Sequence, residues 1–404
     1  MGGVLVVVMN CPRRLTRRGE HWKKMNNVWR RFRYMTSIKT CWKGYSHGCL
    51  PRPSSVSKQS VKLGVPLPTR QSSIVYDTSE GNWKKFNQKH QTTHDVDPKP
   101  IPVASSGGLI CFRSVSGNLI VSNPVTAAYR ELPPLVTADS QNQITLIHAI
   151  AMKSTSSKQP SPTYKLVTIS GEFPKLTTNI YDSTKDRWDR LRLFRQPTYW
   201  RECESESDST LDDESQETVY FLNKAGDVVS TNVQRSKWKQ YSSVITVEDG
   251  EEIIHFLSSS GAIVACNLSR RTFYEYPRLL PVYLEHSLDV VECNGEMLVV
   301  VLSELYETAS LRVWRFSKKT QSWHQVTVMP PAMSHGFYGK RADINCIGFL
   351  NTIFICLNST DMNQCLTCNL VSNDWIVLHD CLVNGKSEEF MSAFSFEPRI
   401  EAEV

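Results

Sequence analysis

The stretch Ile180-Tyr181-Asp182-Ser183-Thr184-Lys185-Asp186-Arg187-Trp188 decides the fold of this chain, because its pattern occurs at six other places. The pattern consists of an apolar or aromatic strand end, a short polar turn and an aromatic residue that opens a second short strand. An Asp or Asn at the strand end suits a turn, since its side chain can accept hydrogen bonds from backbone amides two residues further on. The aromatic residue is then placed to pack between neighbouring sheets.

Seven aromatic residues, which we call the anchors, mark the repeat. Their separations are 46, 59, 50, 35, 50 and 52 residues. Each gap holds about four short strands with their loops, which is the spacing of blades in a kelch-type β-propeller. We therefore expect an all-β fold, a kelch-type β-propeller, with seven blades favoured and six as the alternative. The anchors are Trp83, Tyr129, Trp188, Trp238, Phe273, Trp323 and Trp375.

Short β-rich runs lie between the anchors, and several are continuously apolar, as expected for strands that are buried on both faces. The last run, Phe390–Phe396, follows the seventh anchor and can complete the first blade, whose early strands are hard to find before Val75. Joining the chain ends in this way closes a propeller ring and leaves few exposed sheet edges. The earlier runs are Gly108–Phe112, Lys165–Ile169, Thr218–Phe221, Glu252–Leu257, Met297–Leu302 and Thr352–Leu357.

A glycine pair, Gly107 and Gly108, opens one of these runs. We expect the backbone to turn sharply or to take a positive φ there, because glycine has no Cβ to oppose it. The pair has a structural role in this interpretation. No Gly-x-Gly-x-x-Gly or P-loop pattern follows it, so phosphate binding is not expected.

Charge divides the chain into two parts. Residues 1–70 hold 15 Lys/Arg against the single acid Glu20, a net charge of +14, whereas the rest holds 31 Lys/Arg against 39 Asp/Glu, a net charge of −8. We expect a basic arm at 1–70, poorly ordered or partly helical, and the propeller at 71–404. A transit peptide, a nuclear-import patch and binding to single-stranded nucleic acid also fit the arm. A disordered arm or translated non-coding sequence is favoured, and no nucleic-acid partner is expected.

Other classes of function find little support in the sequence. No apolar run approaches the ~18–20 residues of a membrane-spanning helix, so no membrane association is expected. Twelve cysteines in 404 residues are too dilute for a disulfide scaffold and indicate a reducing compartment, the cytoplasm and/or nucleus. Cys365 and Cys368 form a lone Cys-x-x-Cys, but positions i and i+3 of a strand face opposite sides.

Patterns for catalysis and metal binding are equally sparse. The ten histidines form no His-x-His or His-Glu-x-x-His pattern, and no Gly-x-Ser-x-Gly elbow occurs. We therefore expect no catalytic residue, no metal and no cofactor, and hence a protein that is not an enzyme. His335 and Tyr338 lie in a loop and are candidates for contact with a partner, although plain loop packing is the preferred interpretation.

Several motifs together carry a family resemblance. A glycine pair precedes the apolar strand in Ser105–Phe112, an Asn-Pro-Val-Thr turn follows at 123–126, and a Leu-Pro-Pro exit follows at 132–134. With Met329-Pro330-Pro331 and the tail Met391–Pro398, this order resembles plant F-box/kelch-repeat proteins over roughly residues 55–400. The resemblance implies an N-terminal F-box that docks on a Skp-type adaptor of a cullin ubiquitin ligase. It also implies a propeller that binds a target protein through loops on one face.

The amino-terminal part departs from that family. An F-box should begin with a Leu-Pro pair and end near a Cys-Lys-x-Trp stretch, and residues 1–50 show no such series. Two functions therefore stay open. The first is a substrate-recognition subunit of a Skp–cullin–F-box E3 ubiquitin ligase, whose propeller binds an unknown protein for ubiquitination. The alternative is a kelch-repeat interaction scaffold that is not coupled to a ligase. A faint echo of the last F-box helix is the set Phe32, Tyr34, Met35, Ile38, Cys41 and Trp42.

Overall fold

Short strands with buried apolar runs build this protein, as the sequence predicts. In Leu109–Arg113, for example, the first four side chains are all buried, which confirms a strand covered on both faces. No helix among the residues that the structure describes is long and apolar enough to cross a membrane. The described residues belong to one unit, made of Met1–Asn10 and Ser72–Val404. In this computed structural model they are 5–10, 73–77, 80–86, 100–114, 116–135, 146–154, 163–196, 220–222, 228–230, 241, 243–258, 261–279, 286–305, 308–340, 342–359, 362–379, 382–383, 386–387, 390–397 and 399–404.

Five four-stranded sheets and one five-stranded sheet account for most of the described strands. We number these sheets 1 to 6. Sheet 1 contains, in spatial order, β29 (Phe390–Phe396), β1 (Leu5–Asn10), β2 (Ser73–Asp77) and β3 (Asn82–Phe86); sheet 2 contains β4 (Ile101–Ser106), β5 (Leu109–Arg113), β6 (Leu119–Ser122) and β7 (Tyr129–Glu131); sheet 3 contains β8 (Ile147–Ser154), β9 (Tyr164–Glu172), β10 (Lys175–Asp182) and β11 (Arg187–Arg192).

The other three sheets repeat this antiparallel order. Two further hairpins are β13 (Tyr220–Leu222) with β14 (Val228–Ser230), and β27 (Leu382–Val383) with β28 (Lys386–Ser387). Sheet 4 contains β15 (Ser243–Glu248), β16 (Glu251–Leu257), β17 (Ile263–Asn267) and β18 (Thr272–Glu275), with β12 (Phe194–Arg195) parallel to β18; sheet 5 contains β19 (His286–Cys293), β20 (Glu296–Leu305), β21 (Thr308–Ser317) and β22 (Ser322–Val328); sheet 6 contains β23 (Asp343–Phe349), β24 (Thr352–Asn358), β25 (Asn363–Asn369) and β26 (Asp374–Val377).

The first strands of the sheets, β29, β4, β8, β15, β19 and β23, lie side by side around a central cavity of about 440 Å³. Short polar side chains bridge these strands, because inner strands of neighbouring sheets do not form a regular ladder. Ser105 Oγ of β4 donates to the carbonyl of Ser395 in β29 at 2.9 Å. In the same way, Ser243 Oγ of β15 donates to the carbonyl of Ile150 in β8 at 3.1 Å. The ring confirms the all-β propeller.

The favoured number of seven blades is wrong. It relied on two gaps, of 50 and 35 residues, between Trp188 and Phe273, with Trp238 as the anchor between them. The described residues of this stretch instead form one large sheet, sheet 4, together with the hairpin β13–β14, whose strands have only three residues each. Among the described residues, five sheets are regular four-stranded blades, and sheet 4 departs from that form with a fifth, parallel strand, so the alternative of six regular blades is not met either.

Sheet 1 joins distant parts of the chain. In β1, Val7 lies opposite Phe394 of β29 on one side and opposite Val75 of β2 on the other. The prediction that the last apolar run completes the first blade is therefore confirmed. The strand β1 itself lies within the segment assigned to the basic arm. Its run Leu5–Met9 is rich in valine, a residue that favours strands, and this is the one signal in the sequence that could have revealed it. The rest of that arm lies outside the described residues.

The turn before each described anchor has one conformation. The residue two positions before the anchor takes a positive φ in all six cases, so the backbone reverses in the same way each time. Side-chain oxygens support these turns as predicted: Asp182 Oδ1 accepts from the amide of Thr184 at 3.0 Å. The residues with positive φ are Gly81 (65°), Ala127 (60°), Asp186 (50°), Arg271 (57°), Gln321 (52°) and Asn373 (59°).

Candidate protein-binding site

The two ends of the propeller differ. At one end, which we call the turn end, the third strand of each sheet joins the fourth, and in sheets 2 to 6 the first strand also joins the second, by turns such as Gly107-Gly108 and Asp249-Gly250. At the opposite end, the loop end, the second strand joins the third, and each sheet joins the next. Apart from the segment between β1 and β2, which also begins and ends at this end, the connections between sheets are the longest of the fold, so the loop end offers the more variable surface.

Gly107 and Gly108 lie at the turn end with φ angles of 56° and 85°, which confirms the predicted positive φ. Space also requires glycine at both positions. A Cβ added to Gly107 would lie 1.9 Å from Ser154 Oγ, and one added to Gly108 would lie 2.8 Å from Arg399 Cβ. The pair therefore makes a tight turn under neighbouring segments.

Four anchors are tryptophans that join neighbouring sheets, which confirms the predicted packing. In each case, the acceptor lies in the outer strand of the preceding sheet or just after it, so the indole N–H links two sheets. Nothing in the repeat pattern of the sequence signals these hydrogen bonds. Trp83 Nε1 donates to the carbonyl of His379 at 3.1 Å, Trp188 Nε1 to that of Pro133 at 2.8 Å, Trp323 Nε1 to that of Pro277 at 2.8 Å, and Trp375 Nε1 to Thr327 Oγ1 at 3.3 Å.

The anchor Phe273 is fully buried, although its ring has no N–H to donate. Its ring packs edge-on against Phe173 of sheet 3 with centroids 6.0 Å apart. Here the chain that leaves sheet 3 joins sheet 4 by backbone hydrogen bonds. The amide of Phe194 donates to the carbonyl of Arg271, and the amide of Gln196 donates to that of Phe273, both at 2.8 Å. The strand β12 thus makes the link that a tryptophan makes elsewhere.

The remaining two anchors do not share this position. Tyr129 begins β7 with 63% of its surface exposed, so it does not pack between sheets as expected. Trp238 lies outside the described residues. The other five anchors each mark a junction between two sheets, and they position the connections of the loop end.

One connection of the loop end, 329–342, is held firmly against sheet 5. It contains the short helix α1 (Pro331–Ser334) and a 3₁₀ turn (His335–Phe337). Met329 and Phe337 are almost completely buried in the core between sheets 5 and 6. Ser334 Oγ donates to the carbonyl of Ala309 at 2.8 Å. These contacts fix the backbone of the connection before any partner binds.

The same connection presents polar and aromatic side chains to solvent. Tyr338 is 42% exposed, and His335 is exposed one turn before it. The amide of Gly339 donates to Glu304 Oε2 at 3.1 Å, which ties the tip to the end of β20 in sheet 5. His335 and Tyr338, the two residues that the sequence suggested for contact with a partner, both lie outside the core. Phe337 is the aromatic residue of this loop that packs into the core. An exposed aromatic on a fixed backbone is suited to binding a protein.

A second aromatic lies where the loop end meets the central cavity. Tyr241 lines the cavity, and its backbone carbonyl accepts a hydrogen bond from the amide of Ile150 at 3.1 Å. The guanidinium of Arg113 lies over the Tyr241 ring, 5.0 Å from its centroid, and donates to the Tyr241 hydroxyl. Tyrosine and arginine are enriched among residues that dominate binding energy in protein interfaces.

Buried titratable groups serve packing. Burial raises the pKa of the Cys293 and Cys368 thiols to about 12, so both stay protonated. Cys365 and Cys368 face different apolar clusters, which confirms that the Cys-x-x-Cys spans opposite sides of β25. Burial lowers the pKa of His255 to about 3, and its neutral ring hydrogen-bonds Thr246 Oγ1 at 2.8 Å. Within the described residues, no three His, Cys, Asp or Glu side chains form a group that could hold a metal ion.

Comparison with known proteins gives clear relatives. The family model described as KIB1-4 beta-propeller matches residues 85–334. The chain is 43% identical over 388 residues to F-box only protein 13 of Arabidopsis thaliana, a match that covers 90% of this chain and 82% of that protein. It is 25% identical over 321 residues to F-box only protein 6 of the same plant, covering 77% of this chain and 57% of that protein.

Matches to solved structures are more distant. A functionally unknown protein from Desulfotomaculum acetoxidans is 11% identical with a TM-score of 0.37, over 81% of this chain and 96% of that one. TolB from Acinetobacter baumannii is 7% identical with a TM-score of 0.42, over 81% of this chain and 63% of that one. Neither score supports an argument about function, and the kelch type stays a prediction. The family model and the plant relatives agree, and the chain therefore belongs to the KIB1-4 β-propeller family, with plant F-box proteins as its relatives.

Proposed function

We propose that this chain is the substrate-recognition subunit of a Skp–cullin–F-box E3 ubiquitin ligase, with the propeller binding the target protein. The observation that carries this proposal is the 43% identity to F-box only protein 13 over 90% of the chain. Such a subunit catalyses nothing itself, and it raises the effective concentration of the target beside the ubiquitin-conjugating enzyme. Its partners are a Skp-type adaptor, a cullin and a target protein, in the cytoplasm and/or nucleus.

The loop end is the surface that we assign to the target. The connections between sheets lie there, and the connection 329–342 is anchored by Phe337 and Ser334 while Tyr338 stays exposed. A fixed backbone reduces the conformational entropy that is lost on binding, and an exposed tyrosine supplies apolar contact with a hydroxyl at its tip. The support for this assignment is geometric.

One observation favours a scaffold that is not coupled to a ligase. The region where an F-box is expected shows no Leu-Pro-led series, and residues 5–10 of that region form β1 inside sheet 1. In this second candidate, the propeller binds the same target protein at the same loop end, without an adaptor.

Binding of the purified full chain to a Skp-type adaptor and cullin separates the two candidates. Co-elution of the complex, with transfer of ubiquitin to a captured protein in a reconstituted reaction, supports the ligase subunit. A folded chain that binds no adaptor supports the scaffold. The Tyr338→Ala variant should retain adaptor binding, because Tyr338 lies on a connection between propeller sheets.

Proximity labelling in plant cells tests the assigned surface. Each full-length variant carries the same biotin ligase, and the labelled proteins are compared with those of the unchanged chain. Proteins that lose labelling with Tyr338→Ala, but keep it with Val371→Ser, support the loop end as the binding surface. Val371 is a matched control because it is 75% exposed at the turn end of sheet 6. The opposite pattern would move the target to the turn end.

A further inference from the structure

Two buried cysteines face each other inside sheet 6. Cys356 of β24 and Cys365 of β25 are register partners, and their Sγ atoms lie 3.5 Å apart. Directly opposed residues on antiparallel strands have Cα atoms about 4.5–5.5 Å apart. This separation falls inside the range of about 4.4–6.8 Å that disulfides span. Small side-chain rotations therefore suffice to bring the two sulfur atoms to bonding distance.

We propose that Cys356 and Cys365 form a reversible disulfide when the protein meets hydrogen peroxide. The sulfur of one thiol attacks the peroxide, the O–O bond breaks, and a sulfenic acid and water form. The second sulfur attacks the sulfenic sulfur, so that an S–S bond forms, the S–O bond breaks and a second water leaves. Two electrons and both thiol protons pass from the cysteines to the two water molecules. A small thiol such as glutathione reverses the reaction by exchange.

Cys368 does not compete for this bond, although it lies close to Cys365 in sequence. The Cys365 side chain belongs to the apolar cluster of Cys356, Phe354 and Tyr76, whereas Cys368 packs in the cluster between sheets 5 and 6. The strand therefore presents only one of these two thiols to Cys356. The bond links β24 to β25 and not two residues of one strand.

Access to the pair runs through the seam between sheets 6 and 1. The pairing of β26 with β25 ends at Leu366, next to Cys365, and Leu378 covers the cysteine cluster beyond that point. The seam is closed by the Trp83 ring, which lies 6.2 Å from the Phe354 ring, and by the hydrogen bond from Trp83 Nε1 to the carbonyl of His379. Transient opening of this seam admits peroxide to the buried thiols.

The position of the pair connects oxidation to the loop end. The Cys356–Cys365 pair lies two register positions from the Asn358–Asn363 pair. Asn358 and Asn363 form the last pair before the connection between β24 and β25. A disulfide at this place ties the base of that connection covalently. Oxidation is thus expected to stiffen one part of the loop end while the propeller stays folded.

Peptide mapping of the folded full chain tests the proposal. The reduced protein is treated with peroxide, free thiols are blocked, and the digest is searched for a linked pair of peptides. We expect a Cys356–Cys365 link that dithiothreitol removes. The Cys356→Ser and Cys365→Ala variants should each lose it, and the matched control Cys111→Ser, a buried thiol of sheet 2, should retain it. Trp83→Phe should form the link several-fold faster, because the seam loses its hydrogen bond.

Three results would overturn the proposal. One is oxidation of other cysteines to sulfinic acid while Cys356 and Cys365 stay reduced. The second is a link that forms only in denaturant. The third is an equal rate of formation in Trp83→Phe and the parent, which would remove the seam as the route of access.

Discussion

The indole Nε1 of Trp188 donates a 2.8 Å hydrogen bond to the backbone carbonyl of Pro133, and this bond joins sheet 3 to the chain that leaves sheet 2. Trp323 makes the same bond to Pro277 between sheets 5 and 4. Pro133 and Pro277 follow the outer strands of sheets 2 and 4. Because proline has no N–H, its carbonyl is the only backbone group that can form a hydrogen bond there. The tryptophan anchors therefore act as links between sheets as well as apolar filling.

Replacement of Trp188 by Phe should lower the free energy of unfolding by about 1–3 kcal/mol, because it removes both ring volume and this hydrogen bond. The matched control is Trp314→Phe, since Trp314 Nε1 is buried without a hydrogen-bond partner and only ring volume is lost. Urea denaturation of both variants measures the difference. Equal losses would show that the bond to Pro133 contributes nothing.

Asn123 holds the carboxy-terminal residues, and Asn123→Asp should release them. The fully buried side chain donates from Nδ2 to the carbonyls of Arg399 and Ala402, at 2.9 and 2.8 Å, and its Oδ1 accepts from the amide of Val125. A carboxylate keeps the acceptor but cannot donate, so we expect a loss of about 2–4 kcal/mol. Hydrogen exchange at residues 399–404 should rise accordingly.

Asn369→Asp provides the control for that experiment. Asn369 occupies the equivalent turn of sheet 6, and its Oδ1 accepts from the amides of Val371 and Ser372 at 2.9 and 3.1 Å. Because a carboxylate serves that role equally well, stability should change little. A similar loss in both variants would point to charge alone and would contradict the assigned role of the Asn123 donors.

Arg271→Gly should raise stability by up to about 1 kcal/mol, because Arg271 has a φ of 57°, which strains a residue with a Cβ. Its side chain is exposed, so little contact is lost. Ser269→Gly in the same turn is the control, since Ser269 has no positive φ and the change only adds freedom to the unfolded chain. Thermal denaturation should move the two variants in opposite directions, and a shift of both downward would refute the strain.

Acid should destabilise the propeller through His255. Burial lowers the pKa of this side chain to about 3, so the unfolded chain, with a pKa near 6.5, binds a proton that the folded chain does not. Stability from this source is complete above pH 6.5 and falls as the pH drops towards 3, by about 2 kcal/mol at pH 5.

The slope of stability against pH measures this effect. His255→Gln should flatten the slope between pH 6.5 and 5, whatever its effect on absolute stability. His324→Gln, which replaces an exposed histidine of β22, is the control for the substitution itself. An unchanged slope in His255→Gln would assign the acid sensitivity to other groups.

Local signals made much of the fold predictable. The turn at Asp182 and the anchor Trp188 lie within seven residues, and the hydrogen bonds that form this turn join neighbours in sequence. The same kind of signal at Trp238 predicted a blade too many. A polar turn before an aromatic residue indicates a hairpin but not the further strands of a blade. Pairing between distant segments left no such signal. The partner of Leu5–Asn10 in β29 and the acceptors of Asn123 lie hundreds of residues away.

The candidate site was less predictable than the fold. Phe337 and Tyr338 are adjacent aromatics in a loop, and only the packing of α1 decides that the first is buried and the second exposed. The position of Tyr241 beside the central cavity depends equally on how the sheets are arranged. The resemblance to F-box proteins came from motif order, whereas the surface that binds a target needs the assembled propeller.

The pairing of β1 with β29 sets an order for folding during synthesis. Sheets 2, 3, 5 and 6 each use one continuous stretch of chain and can form as that stretch leaves the ribosome. Sheet 1 must wait, because its inner strand ends at Phe396 while its second strand begins at Leu5. Until translation passes Phe396, β1 and β2 present an unpaired edge, which is a template for aggregation and a reason to engage a chaperone. Closure of the ring is therefore a late event that waits until β29 has been translated.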